Sequence, residues 1–263
     1  MKPNQTVFLA LGIDPNPSLS NNFQEFQKSV SSHSEMIKNS LNQIEDKILK
    51  IQLAFFLSWG SQGIQLLEEF VFQHKNNFKI IVDGKFNDIG NSFQAYLNFV
   101  FVTLGVHGIT INPFLGEKSI QLAYETCAKN VGPDGRVYVL AKTSENSKSK
   151  LSYIQENFHQ IISACVQCRE DVFMNDPSLQ KIAGVVVAAH YEDYLTSKSC
   201  NQNELSILAP GLGAQGADWS MIQKCSWLKN EIVFPISRGI FDGGNRTVVE
   251  MQKSLIEVEG YFK

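Results

Sequence analysis

The chain has 263 residues, of which 43% are hydrophobic and 19% charged, enough apolar material for one large domain or two small ones. A net charge of −3 argues against a nucleic-acid binder but leaves an anionic small molecule open, because only the local field at a site matters. The longest early apolar run, Val7 to Ile13, is too short for a signal-peptide core with a cleavage site and far too short for a membrane span, so the expectation is a soluble cytoplasmic protein without a membrane partner.

Short, apolar, β-rich runs recur in chain order at Val7–Asp14, Ile48–Phe56, Lys79–Lys85, Gly108–Asn112, Arg136–Ser144, Ile182–His190, Glu204–Gly211 and Glu231–Gly239. Between them lie stretches with helical spacing. The polar insert "SLSNNFQEFQKSVSSHSEMIKNSLNQIEDK" carries the first helix and its lead-in. "GSQGIQLLEEFVFQHK" from Gly60, "SFQAYLNFVFVTLG" from Ser92 and "KLSYIQENFHQIISACVQC" from Lys150 follow, and a last helix runs from Arg246 to Tyr261. The strand runs are almost continuously apolar, as parallel strands buried on both faces must be. No linker, low-complexity stretch or charge block divides the chain. The pattern predicts one α/β domain over residues 1–263, a single (β/α)8 TIM barrel. An open doubly wound sheet is the alternative, and it usually needs fewer strands.

Five cysteines (127, 165, 168, 200 and 225) form an odd set that argues against a disulfide framework. Cys165 and Cys168 have redox spacing but fall within a helical pattern and read as buried thiols. The five histidines make no ligand-spaced cluster, so a protein-only zinc site is not expected.

A barrel places its reactive residues at the C-terminal ends of its strands and a phosphate site after strands seven and eight. In "IIVDGKFNDIGNS", Asp83 and Lys85 are two apart at the end of strand three, so alternation points both toward the mouth. Asp88 follows in the loop, strand two brings Lys50 and strand one delivers Asp14. Two lysines and three carboxylates around one mouth are costly to desolvate unless paired, and alternating signs hold each of them charged. A solvated ion-pair patch at the rim is the plainer alternative. In "LAPGLGAQGADW", Gly211, Gly213 and Gly216 fit the G-x-G-x-x-G spacing of a dinucleotide loop. That fingerprint belongs to a first strand–helix unit, with an acidic residue ending the next strand, whereas here Glu231 begins strand eight. The same glycines at a helix start would let backbone N–H groups approach a different phosphate, and "ISRGIFDGG" adds Arg238 for a charge-assisted contact. Plain turns and a surface arginine would leave the same trace.

Taken together, "LGIDPNP", "LKIQLAFF", "DGKFNDIGNS", "INPFLG", "VLAKTSENS", "VVVAAHY", "APGLGAQG" and "SRGI" resemble, in order, the orotidine 5′-monophosphate decarboxylase family in its longer-chain bacterial subgroup. The resemblance implies conversion of orotidine 5′-monophosphate to uridine 5′-monophosphate in pyrimidine biosynthesis, without a cofactor. It implies a charged network of Lys50, Asp83, Lys85 and Asp88, in which Lys85 protonates C6 of the pyrimidine as carbon dioxide leaves. Asp83 would sit against the departing carboxylate, and Lys50 would anchor the network and a ribose hydroxyl. Asp14 would bind ribose, Ser144 the pyrimidine amide, and Gln215 and Arg238 the phosphate, with backbone N–H groups around Gly213 and Gly239. Asp88 would reach across a homodimer into the neighbour's site. Two positions depart from the subgroup's pattern: Glu145 stands where Asn follows the AKTS serine, and Ser92 stands where Thr ends the strand-three motif but keeps a hydroxyl for substrate.

Chemistry gives this arrangement a reason. Loss of carbon dioxide leaves an electron pair in the ring plane with no carbonyl sink, so a fixed ammonium must stabilise it and then protonate it. Phosphate binding far from that carbon can hold the site closed. The rivals are a Mg2+-dependent sugar-phosphate decarboxylase or aldolase of the same superfamily, and a catalytically silent nucleotide-binding barrel.

Overall fold

The computed structural model describes residues 6–143, 156–196, 204–213, 216–226, 228–241 and 246–262. Eight parallel strands close into a barrel in sequence order, with the last paired to the first, so the open-sheet alternative falls. They are β1 (Val7–Ile13), β2 (Ile48–Gln52), β3 (Lys79–Phe86), β4 (Gly108–Ile111), β5 (Arg136–Lys142), β6 (Ala183–Val187), β7 (Ser206–Leu208) and β8 (Ile232–Ile236). The helices outside them are α1 (Phe23–Asn39), α2 (Leu53–Leu57), α3 (Gly60–His74), α4 (Gly90–Asn98), α5 (Glu117–Asn130) and α6 (Phe158–Phe173). The later ones are α7 (Glu192–Leu195), α8 (Ser220–Cys225), α9 (Arg238–Phe241) and α10 (Val248–Gly260). No described helix is long and apolar enough to cross a membrane.

Alternation sorts the strand residues into two cores. Phe8, Ile81, Tyr138, Leu140 and Val186 fill the barrel's inside, while their neighbours Leu9, Val82, Val139 and Val185 pack outward under the helices. Local chemistry fixes the helix starts. Asn22 accepts from the Glu25 N–H at 3.0 Å to begin α1, and Thr247 with Glu250 forms a capping box for α10.

Several expected elements end elsewhere than their apolar runs do, β6, β7 and β8 among them. Strand two was expected to reach Phe56 but stops at Gln52, because "LAFFL" winds into α2 and buries Phe56 against Phe26. The helix expected from Ser92 continues past Asn98 as a π-helical turn, Phe99–Leu104, which ends on Gly105 in the left-handed region at φ 65°. Of the helix expected from Lys150, residues 150–155 lie outside the described residues, and α6 begins at Phe158 after Asn157 at its N-cap position. Cys165 and Cys168 are buried as expected, Cys127 and Cys225 are buried too, Cys200 lies outside the described residues, and burial pushes the Cys127 and Cys225 thiols up to about 12.

At the barrel floor Arg136, opening β5, reaches Glu231, just before β8, with paired bonds of 3.0 and 2.9 Å. Glu231 therefore lies at the opposite end of the barrel from the glycine loop and cannot serve a dinucleotide ribose there. At the seam between β1 and β8, a Cβ on Gly12 would stand 2.8 Å from the Ser237 Cβ and 3.3 Å from the Ile236 carbonyl. Gly12→Ala should therefore lower stability by about 1–3 kcal/mol, read as a reduced urea midpoint, since the seam has no room to yield.

Candidate functional site

The C-terminal ends of the strands surround a cavity of about 530 Å³. Asp14 enters it just past β1, Lys50 from β2, Asp83 and Lys85 from β3, and Arg238 and Gly239 from the turn after β8. A rim patch would leave these charges solvated, but the structure buries the centre of the group. Lys50 and Asp83 are 6% and 9% exposed, so their charges persist only through pairing.

The pairing is continuous. Lys50 Nζ lies 3.3 Å from Asp14 Oδ1 and 3.3 Å from Asp83 Oδ2, while Lys85 Nζ lies 2.7 Å from Asp83 Oδ1. Burial alone would depress the Lys50 ammonium, but the carboxylates of Asp14 and Asp83 outweigh it and leave its pKa raised. Burial likewise works to raise Asp83, yet Lys50 and Lys85, with hydrogen bonds from Lys85 and Thr110, hold it down at about 2. Lys50 and Asp83 are locked in place, whereas the Lys85 side chain remains 45% exposed at the mouth.

These shifts fix the sign of a pH effect. Asp83 falls from 3.8 to about 2 on folding, so its contribution is complete above pH 3.8 and disappears as the pH drops toward 2. By linkage that contribution is about 2 kcal/mol. Lys50 is raised above 10.5, so its share is present below that value and lost at higher pH. Asp83→Asn should flatten the fall in unfolding free energy between about pH 4 and pH 2. An unchanged acid slope in urea titrations would show that Asp83 is not the group responsible.

Lys85 carries a second feature that spacing does not reveal. Its backbone sits in the left-handed region at φ 47°, a conformation costing a side-chain-bearing residue about 1–2 kcal/mol. The β3–β4 register shifts between Val82 and Phe86, so simple alternation is broken where it was expected to aim Lys85. Asp83 and Lys85 still meet at the mouth, now because of this irregularity. Thr110 on β4, which sequence reasoning passed over, takes the Lys85 N–H at 2.9 Å and donates to Asp83 Oδ1 at 2.8 Å. Gln52, also unforeseen, lines the cavity and lies 3.4 Å from Lys50 Nζ.

Asp88 and Ser92 do not line this chain's cavity. Asp88 is half-buried in the loop after β3, where its Oδ1 accepts the Ile89 N–H at 2.8 Å, and Ser92 is exposed on α4. Ser144, Glu145 and Gln215 lie outside the described residues.

The glycine stretch forms a tight loop after β7, with φ of 118°, 66° and 92° at Gly211, Gly213 and Gly216. Gly211 and Leu212 line the cavity but Gly213 does not, and its N–H donates back to the Ala217 carbonyl at 3.0 Å. The Gly213 N–H is thus bonded within the loop. The Trp219 ring closes off the loop's other side, 3.1 Å from where a Gly213 Cβ would stand, and itself stacks on Tyr261.

Across the cavity, Arg238 is exposed at the first position of α9 rather than at the end of β8. Two groups hold this short turn. Arg246 donates to the Gly239 and Ile240 carbonyls at 2.8 and 3.1 Å, and Phe241 stacks on buried His33 of α1. Nothing in the motifs pointed to Arg246, since its partners are backbone atoms.

Fold and site together define a closed parallel (β/α)8 barrel with an alternating lysine–aspartate array at its C-terminal mouth. The chain belongs to the orotidine 5′-phosphate decarboxylase / HUMPS family, whose sequence model matches residues 29–248. It is similar to the orotidine 5′-phosphate decarboxylase of Dehalococcoides mccartyi, 29% identical over 169 residues covering 64% of this chain and 60% of that one. A relative of the same name from Deinococcus radiodurans is 32% identical over 171 residues, covering 64% and 61%. The matched stretch thus spans about three-fifths of these relatives. Among solved structures, the Leishmania donovani OMP decarboxylase shares the fold with a TM-score of 0.70 at 19% identity, covering 98% of this chain and 94% of that one. The Methanocaldococcus jannaschii orotidine 5′-monophosphate decarboxylase, complexed with inhibitor BMP, gives 0.64 at 18%, covering 95% and 96%.

Proposed function

We propose that this chain is a cytoplasmic, single-domain decarboxylase that converts orotidine 5′-monophosphate to uridine 5′-monophosphate. The observation that carries the reading is the Lys50–Asp83–Lys85 array, fully paired at its buried end and presenting an exposed ammonium at the mouth. With the pyrimidine C6 beside Lys85 Nζ, that ammonium stabilises the electron pair left by departing carbon dioxide and delivers its proton to it. Asp83, kept ionised, faces the substrate carboxylate and favours its loss. Lys50 and Asp14 hold the ribose, Ser144 the pyrimidine amide, and Arg238 with Gln215 and the Gly239 backbone the phosphate.

Asp88 and Ser92 serve the site of a second copy in a homodimer. Their surroundings support this, because Ile89, Tyr96 and Phe114 are 63%, 44% and 62% exposed on the elements flanking Asp88. The array itself favours electrostatic catalysis over the family's metal-assisted alternative, since Asp14 and Asp83 are both engaged by ammonium groups.

Following the absorbance of orotidine 5′-monophosphate with and without EDTA tests the reading. A change that persists in EDTA is expected. No change at all would overturn the activity, and loss in EDTA would favour the metal-assisted reading. Arg238→Ala should weaken substrate binding by roughly 2–4 kcal/mol, or about 30- to 1,000-fold in KM, through loss of a charge-assisted phosphate contact. Unchanged KM and kcat would make Arg238 an ordinary surface residue.

A further inference from the structure

We infer that Thr110 is a positioning residue that sets Asp83 and Lys85 in their working geometry. Thr110 is 1% exposed and does not line the cavity, so it acts only through its neighbours. Its hydroxyl has one proton, and the two contacts determine where that proton points. The Lys85 N–H donates to Oγ1 at 2.9 Å, occupying a lone pair, so the hydroxyl proton goes to Asp83 Oδ1 at 2.8 Å. The same Asp83 oxygen receives Lys85 Nζ at 2.7 Å. One hydroxyl therefore ties the backbone and the side-chain partner of Lys85 together.

The tie sits where the chain needs it. The Lys85 backbone at φ 47° is held in a sparsely populated region, inside a register shift that leaves the β3–β4 ladder interrupted between Val82 and Phe86. The Lys85 N–H would otherwise face that gap without a strand partner. Thr110 supplies the acceptor from within β4, two residues before the loop that follows the strand. Sub-ångström placement of a proton donor governs rate, and the residues that enforce it need not touch substrate.

Thr110→Val keeps the shape and removes the hydroxyl, while Thr110→Ser keeps the hydroxyl. With orotidine 5′-monophosphate as substrate, Thr110→Val should lower kcat by about 10- to 100-fold with KM within about twofold, and Thr110→Ser should restore most of the rate. In the ligand-free protein, exchange of the Lys85 amide hydrogen should accelerate in Thr110→Val and not in Thr110→Ser. Should the valine variant fail to fold, Thr110→Ala carries the same comparison.

A folded Thr110→Val with wild-type kcat, equal impairment of the serine and valine variants, or unchanged Lys85 amide exchange would each overturn the assignment. The kinetic arm rests on the proposed decarboxylase reading. Amide exchange does not, so an inactive wild type would sink that reading while Thr110 was still decided by exchange.

Discussion

On the proposed decarboxylase reading, Lys85→Ala should abolish turnover of orotidine 5′-monophosphate, a loss of at least about 10,000-fold, because one ammonium would supply both the carbanion's counter-charge and its proton. Binding of uridine 5′-monophosphate should be largely retained. The variant should also fold, for physical reasons visible at the site. Asp83 keeps Lys50 at 3.3 Å and the Thr110 hydroxyl at 2.8 Å, so its buried carboxylate is not stranded. The Lys85 side chain is itself 45% exposed and fills no core space. Isothermal titration with product beside a steady-state assay separates the two effects. Retention of more than a small percentage of activity would remove Lys85 from the role of proton donor.

Mixing inactive Lys85→Ala and Asp88→Ala proteins should restore about a quarter of wild-type activity once subunits exchange. In a mixed dimer with shared sites, one site collects both defects. The other takes Lys85 from one chain and Asp88 from its partner and is whole. Random pairing makes half the dimers mixed, and half of their sites work. The structure motivates the experiment, because Asp88 leaves this chain's own cavity unlined and sits among exposed apolar side chains. Activity that stays at the level of the separate variants, with exchange verified independently, would show that Asp88 does not complete a neighbour's site.

Much of this architecture is legible in the sequence because parallel strands covered on both faces must be apolar almost throughout. Runs such as "VFLALGI" and "RVYVLAK" therefore announce themselves, and their ends locate Asp14, Asp83 and Arg238 at one mouth. What stays hidden has identifiable causes. "LAFFL" is apolar like a strand, and only packing of Phe56 on Phe26 decides for a helix. Thr110 within "GITI" looks like any β-branched strand residue until β3 is laid beside it. Arg246 grips carbonyls, which no side-chain motif records. Lys85 was placed at the mouth by alternation, yet an irregular strand and a left-handed backbone put it there. Gly213 fits a phosphate fingerprint by spacing, whereas its amide is consumed within its own loop.

The seam between β1 and β8 has a consequence for how the chain reaches this state. Leu11 pairs with Ile236, so the strand nearest one end of the sequence waits for the strand nearest the other. Until β8 emerges, β1 offers an unpaired edge of backbone amides and carbonyls, the kind of surface that recruits other strands. Asp14 and Arg238 line the cavity from opposite sides of that seam, so the nascent chain has no closed cavity mouth while the edge is open. Ring closure of this kind is among the most non-local steps a chain can make and is correspondingly slow. During synthesis, that edge stays open until β8 appears, and open strand edges are the surfaces through which incomplete chains aggregate.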